Sequence, residues 1–184
     1  MAEDVINQSM QLTLSKSTIR SFRPSDAESI TKHISSYSVA RNMLRIPHPY
    51  SLQDAEQWIG IASKQEPQTN FGIAIDDQIV GGIGLDVNPS GVTACEHSAE
   101  IGYWLGETFW GRGIATEALN AVSEWAFREL HLVRLYAKVF ARNQASARVL
   151  EKTGYAFEGR LLAHYFRDGE FIDGLLYAKV RLPR

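Results

Sequence analysis

Apolar side chains recur at positions 114, 115, 118, 119, 122, 125, 126 and 130, the spacing of one helix face, while Glu117, Asn120, Glu124 and Arg128 fall on the other. This is the clearest helix in the chain. Residues 18–23 alternate in the manner of a strand, and Pro24-Ser25-Asp26 supplies a turn and an N-cap for a helix over 27–35. Residues 36–50 are irregular, because Pro47 and Pro49 exclude a helix interior. Ser51 with Asp54 then opens a capping box for a helix that turns Ala55, Trp58, Ile59 and Ala62 inward.

Residues 71–75 and 79–85 are apolar, β-favouring runs separated by Asp76-Asp77-Gln78, a hairpin pattern, although glycines at 81, 82 and 84 weaken the second run. Further strands are predicted over 99–105 and 133–140, with a helix over 145–152 stopped by Gly154. A final hairpin spans 155–165 and 171–180 around Arg167-Asp168-Gly169-Glu170. Strand, helix and strand over 99–140 require a parallel pair within a sheet otherwise joined by hairpins. The predicted fold class is α/β (α+β): one domain over 1–184, with a mixed, mostly antiparallel sheet of about seven strands and helices on both faces. No repeat, low-complexity tract or linker divides the chain.

Composition narrows the function classes. Apolar residues at 45% and charged residues at 22% describe a folded domain rather than a disordered chain. Nineteen basic against 21 acidic residues give a net charge of −2, so no broad field draws the chain to nucleic acid or anionic lipid. A single cysteine, Cys95, excludes an internal disulfide framework. Met1-Ala2-Glu3-Asp4-Val5-Ile6 lacks a signal-peptide pattern and no run reaches the ~20 apolar residues of a membrane span, so a cytoplasmic location is expected.

The chemistry concentrates before the long helix. Gly111, Arg112, Gly113, Ile114, Ala115 and Thr116 place two glycines in the preceding turn, so unpaired N–H groups at the helix start can converge on an anion such as a diphosphate. A capped, glycine-containing turn with no ligand fits the same six residues. A nucleotide-triphosphate loop is excluded because no Gly-x-x-x-x-Gly-Lys-Ser/Thr occurs, and a dinucleotide fingerprint is excluded because its third glycine falls at Thr116.

Glu100-Ile-Gly-Tyr-Trp-Leu, Trp110-Gly-Arg-Gly-Ile-Ala-Thr-Glu-Ala-Leu and Arg142-Asn-Gln-Ala-Ser-Ala-Arg-Val-Leu-Glu-Lys-Thr-Gly-Tyr, in this order and spacing, resemble the GNAT acetyltransferase superfamily. Arg45-Ile-Pro-His-Pro-Tyr-Ser and the tail from Glu158 to Tyr177 are similar to the branch that acetylates ribosomal-protein N-termini, and the resemblance covers about residues 12–180. The superfamily's phosphate loop commonly begins with Gln or Arg, where this chain has Trp110.

The resemblance implies an N-acetyltransferase that uses acetyl-CoA as co-substrate. The N–H groups of residues 111–116 would hold the diphosphate, and the strand edge at Tyr103, Trp104 and Leu105 would pair with pantetheine. Splayed parallel strands leave backbone groups that such an amide-bearing arm can satisfy. Asn143 and Ser146 match the branch's Asn-x-x-Ser pattern and would reach the pantetheine or the sulfur; an N-cap and a solvated serine are the plain alternatives. Asn42, Tyr50 and Tyr165 are the acceptor-side candidates, on the irregular segment and the final hairpin.

The expected chemistry is direct attack of a neutral amine on the thioester, with backbone N–H groups stabilising the oxyanion and an acid protonating the thiolate. At pH 7 an α-amine of pKa near 8 is roughly 10% neutral and a lysine about 0.04%, which favours a protein N-terminus, while polyamines, antibiotics and small amino acids stay open as acceptors. Glu100, on a strand expected to be largely buried, is the candidate base; a structural carboxylate bonded across the sheet is the alternative. Some superfamily members carry a Glu on the next strand and a Tyr after the Asn, where Lys138 and Leu150 stand here, which leaves Ser146 as the candidate acid.

Cys95 as an acyl-carrying nucleophile has only His97 nearby in sequence, and the five histidines show no metal-ligand spacing, so no metal is expected. Trp58, Trp104, Trp125 and Met43 are expected in the core. A different class, an acyl-CoA-binding sensor without turnover, binds the cofactor and releases no product. A nucleic-acid-binding domain is disfavoured by the charge balance. A monomer or a homodimer is compatible with the sequence.

Overall fold

The computed structural model describes residues 11–182; the amino-terminal residues considered above for targeting lie outside this range. Eight strands form one sheet in the order β1-β2-β3-β4-β5-β6-β8-β7. They are β1 (Gln11–Thr13), β2 (Thr18–Arg20), β3 (Asn70–Ile75), β4 (Gln78–Val87), β5 (Ser98–Leu105), β6 (Arg134–Phe140), β7 (Ala156–Arg167) and β8 (Glu170–Val180). Eight replaces the expected seven because a three-residue strand before residue 18 pairs Leu12 with Ile19, too short a run to register as alternation. The strand expected over 18–23 stops at Arg20.

The helices are α1 (Ala27–Ile34), α2 (Tyr37–Ala40), α3 (Leu52–Ala62), α4 (Ile114–Glu129) and α5 (Gln144–Lys152). The capping box forms as the sequence implies, with Ser51 Oγ accepting from Asp54 N at 3.2 Å and the Asp54 carboxylate accepting from Ser51 N at 2.8 Å. Asp26 does not cap α1 with its side chain. Its carboxylate instead accepts two bonds from Arg20, at 2.8 and 2.9 Å, and one from Arg23 N at 2.7 Å, a buried ion pair held by charge-assisted bonds. Asp76 and Asp77 carry the β3–β4 turn at φ 49° and 60°, and Asp168 and Gly169 the β7–β8 turn at φ 54° and 82°, the paired positive φ of tight hairpins.

α4 lays Ala118, Leu119, Val122 and Ala126 on one face of the sheet, joined by Ala147 and Leu150 of α5. α1 and α3 cover the other with Ile30, Ile34 and Ile59 against Ala74 and Ile79. The glycines of β4 are close approaches. A Cβ on Gly82 would lie 2.5 Å from the Trp104 indole nitrogen, and one on Gly84 2.1 Å from Asn70 Oδ1, so bare backbone makes room for these side chains. Trp58, expected in the core, is 38% exposed, because it stands on the open side of α3 and lines a cavity. Trp104 and Trp125 are half-buried against the two cores, and Met43 is half-buried outside them.

β5 and β6 are the parallel pair, linked through α4 and paired only over Ser98↔Arg134, Ala99↔Leu135 and Glu100↔Tyr136. Beyond that point β5 stays with β4 as far as Leu105, and β6 stays with β8 as far as Phe140. The two strands diverge and open the sheet.

Candidate active site

Three elements converge on the opening. β5 contributes Glu100, Tyr103 and Trp104, the start of α4 contributes the glycine loop, and the start of α5 contributes Asn143 and Ser146. Gly111 and Gly113 adopt φ 72° and 78°, conformations that side-chain-bearing residues rarely take. Gly113 is the N-cap of α4, and the first helical bond runs from Glu117 N to Gly113 O at 3.1 Å. The N–H groups of Ile114, Ala115 and Thr116 precede that bond and find no acceptor among the described residues, and nothing lies within 4 Å of a Cβ on Gly111. Bare backbone, convergent N–H groups and the positive end of a sixteen-residue helix fit a diphosphate.

Trp110, which replaces the family's Gln or Arg, donates its indole N–H to Leu105 O at 2.7 Å. It ties the loop to the end of β5 and occupies that carbonyl, so of the expected strand edge the Leu105 C=O is engaged within the chain.

Asn143 caps α5, its Oδ1 accepting from Ser146 N at 3.2 Å, while its Nδ2 donates to Ser146 Oγ at 3.1 Å. The Ser146 hydroxyl, bonded as an acceptor, keeps its own proton to donate. Tyr103 donates its phenol to Ser146 O at 3.1 Å and so joins β5 to α5; burial pushes this phenol well up from the ordinary tyrosine range.

Two cavities flank the opening. One, of about 460 Å³, runs between the loop and α5 and is lined by Leu105, Gly111, Gly113–Thr116, Arg148 and Lys152 among others. The second, of about 1470 Å³, lies on the α1 and α3 side and is lined by Tyr50, Trp58, Glu100, Gly102, Lys138 and Tyr165 among others. Asn42, Met43, Tyr103, Trp104, Asn143 and Ser146 line both. Thus Glu100, Tyr103, Trp104, Asn143, Ser146, Asn42, Tyr50 and Tyr165 come together around one continuous opening, whereas Cys95 lines neither cavity. Arg112 lies outside both linings, its guanidinium 5.5 Å from the Phe109 ring centroid.

Glu100 is more open than its strand suggested, with a side chain 28% exposed, and its Oε2 lies 2.9 Å from Lys138 Nζ. Leu150, at the place of the superfamily's Tyr, is fully buried. Tyr165 packs edge-on to Phe140 at 4.8 Å, and burial together with the Glu100 charge raises its phenol to about 12. The sequence does not single out the basic residues Arg148 and Lys152: their spacing of four places both toward the smaller cavity, yet on a short amphipathic helix that spacing is also an ordinary polar face. Among the described residues no cluster of His, Cys, Asp and Glu is arranged to hold a metal, and no helix is long and apolar enough to cross a membrane.

The acetyltransferase (GNAT) domain family matches residues 16–156. The N-acetyltransferase YjcK of Bacillus subtilis, described as probable, is 41% identical over 98 residues, about half of each chain. The ribosomal-protein-serine acetyltransferase of Escherichia coli is 32% identical over 111 residues, 60% of this chain and 59% of that one. A structure of RimL, a ribosomal α-N-protein acetyltransferase in complex with coenzyme A, superposes with a TM-score of 0.80 over 93% of this chain and 98% of the other at 19% identity, a likeness of fold. The chain belongs to the GNAT acetyltransferases: it is an N-acetyltransferase with acetyl-CoA as donor.

Proposed function

We propose that the chain acetylates the α-amine at a protein N-terminus, with the cofactor in the smaller cavity and the acceptor in the larger. The observation that carries this is the pair of cavities sharing Asn42, Met43, Tyr103, Trp104, Asn143 and Ser146, one bounded by an anion-fitting loop and the other by the segment and hairpin expected to face the acceptor. The larger cavity exceeds the ~300–1,000 Å³ of ordinary small-molecule sites, which suits an extended chain end. The serine acetyltransferase of ribosomal protein among the relatives points the same way.

Acetyl-CoA supplies the acetyl group as an activated thioester. The N–H groups of residues 111–116 hold its diphosphate, the free edge of β5 at Tyr103 and Trp104 pairs with the pantetheine, and Asn143 and Ser146 lie beside the sulfur. Glu100 takes the acceptor amine's proton, directly or through water, and Ser146 Oγ–H protonates the departing thiolate. Backbone N–H groups at the strand opening stabilise the charge that develops on the carbonyl oxygen. Asn42, Tyr50 and Tyr165 line the acceptor's path.

The test is thiol release from acetyl-CoA in the presence of peptides with free α-amines. Release that depends on the peptide supports the reading. Tight acetyl-CoA binding with no release for any amine would replace it with a sensor.

A further inference from the structure

We infer that Lys16, on the turn between β1 and β2, is a binding residue for the cofactor's diphosphate and that Glu117 positions it there. The inference rests on the reading that residues 111–116 hold that diphosphate. Lys16 is about a hundred residues from the loop in sequence, yet its Nζ donates to Arg112 O at 3.1 Å, and a Cβ on Gly113 would lie 2.7 Å from the same nitrogen. The ammonium therefore rests on the backbone that leads into α4. One of its three protons goes to Arg112 O, which leaves two for a ligand.

The turn that carries Lys16 is held by α4 itself. The Glu117 carboxylate accepts from Ser15 N at 2.9 Å, Ser15 Oγ at 2.5 Å and Lys16 N at 3.1 Å. Partial burial pushes this carboxyl up, but the bonds from Ser15 and Lys16 and the Lys16 charge outweigh it, so the group is held as an anion. An anion in the first turn of α4 favours the helix and disfavours a bound diphosphate. Lys16, carried by the same carboxylate, offsets that repulsion and adds its own attraction. The short hairpin at the sheet edge thereby brings a cation from one end of the chain to the backbone of the glycine loop.

The test is calorimetric affinity for CoA and dephospho-CoA with the full chain and its Lys16→Met, Lys16→Arg and Glu117→Gln variants. Because Lys16 is exposed, folding should survive, and unliganded thermal midpoints check it. The expected result is a five- to ten-fold weakening by Lys16→Met that is the same for both ligands and smaller at high salt, recovered in large part by Lys16→Arg and reproduced in part by Glu117→Gln. Unchanged affinity in Lys16→Met, or a loss confined to CoA that would place Lys16 at the 3′-phosphate, overturns the inference. A wild-type chain that binds neither ligand overturns the reading of the loop along with it.

Discussion

Lys138 Nζ stands 2.9 Å from Glu100 Oε2 and bridges β5 to β6 just past the last residue pair that joins them. Lys138 occupies the place where some family members carry a carboxylate, so here the acid stands on β5 and its cation on β6. The pair is about one quarter exposed on each side and lines the larger cavity, where the proposed reaction would bring the amine to the carboxylate. Glu100→Gln is expected to lower kcat by about 10²-fold or more with CoA affinity unchanged, the scale of a lost general base. Lys138→Met keeps the base and loses only its partner, so its kcat falls less. Steady-state kinetics with calorimetric CoA affinity check both, and an unchanged kcat in Glu100→Gln returns the residue to a structural role.

Gly113 and Gly102 separate the two halves of the site. Valine at Gly113 meets a φ of 78° and the Lys16 ammonium, so it is expected to abolish the rise in Tm that acetyl-CoA gives the wild type. Saturation at about 100 times Kd adds about 2.7 kcal/mol, or roughly 5–11 °C in a chain of this size. Gly102 has nothing within 4 Å of its Cβ position and lines only the larger cavity, so Gly102→Val should keep that shift and raise the KM for the acceptor. Thermal scans and acceptor kinetics separate the two outcomes.

Arg167 braces the side where the acceptor is proposed to enter. Its guanidinium, on a side chain 14% exposed, donates to Met43 O, to Leu44 O at 3.4 Å and to Ile46 O at 3.3 Å, tying the tip of the last hairpin to the irregular segment. Arg167→Ala leaves those carbonyls without their donor and frees the segment. The expected outcome is a several-fold rise in acceptor KM with CoA affinity preserved, read by varying each substrate in turn.

Tyr165 faces Glu100 from β7 and stays protonated at neutral pH, since burial and the Glu100 charge lift its phenol to about 12. Its folded value lies above the ~10 of an unfolded tyrosine, so the stability it contributes is complete below about pH 10 and is lost as pH rises through about 12. An ultraviolet titration of the wild type against Tyr165→Phe should show one phenolate fewer near that value. A phenolate that forms below 10 would contradict this placement.

Much of this was legible in the chain. The period of α4, the capping box of α3, the two aspartate-bearing hairpin turns and the glycine loop are local patterns, and local patterns survive folding. β1, and with it the hairpin it forms with the expected β2, was not legible, because a three-residue strand carries too little alternation. Nor was the Glu100–Lys138 pair, since it depends on the register of two parallel strands that a sixteen-residue helix separates. Trp58 shows the same limit from the other side: helical spacing placed it inward, while the cavity beside α3 left that face open.

The central claim is tested most directly by one peptide that carries both a free N-terminal α-amine and an internal lysine, incubated with enzyme and acetyl-CoA and sequenced by tandem mass spectrometry. The account predicts acetylation at the N-terminus, retained when the lysine is removed and abolished when the N-terminus is blocked. Acetylation at the lysine, undiminished by a blocked N-terminus, would contradict it.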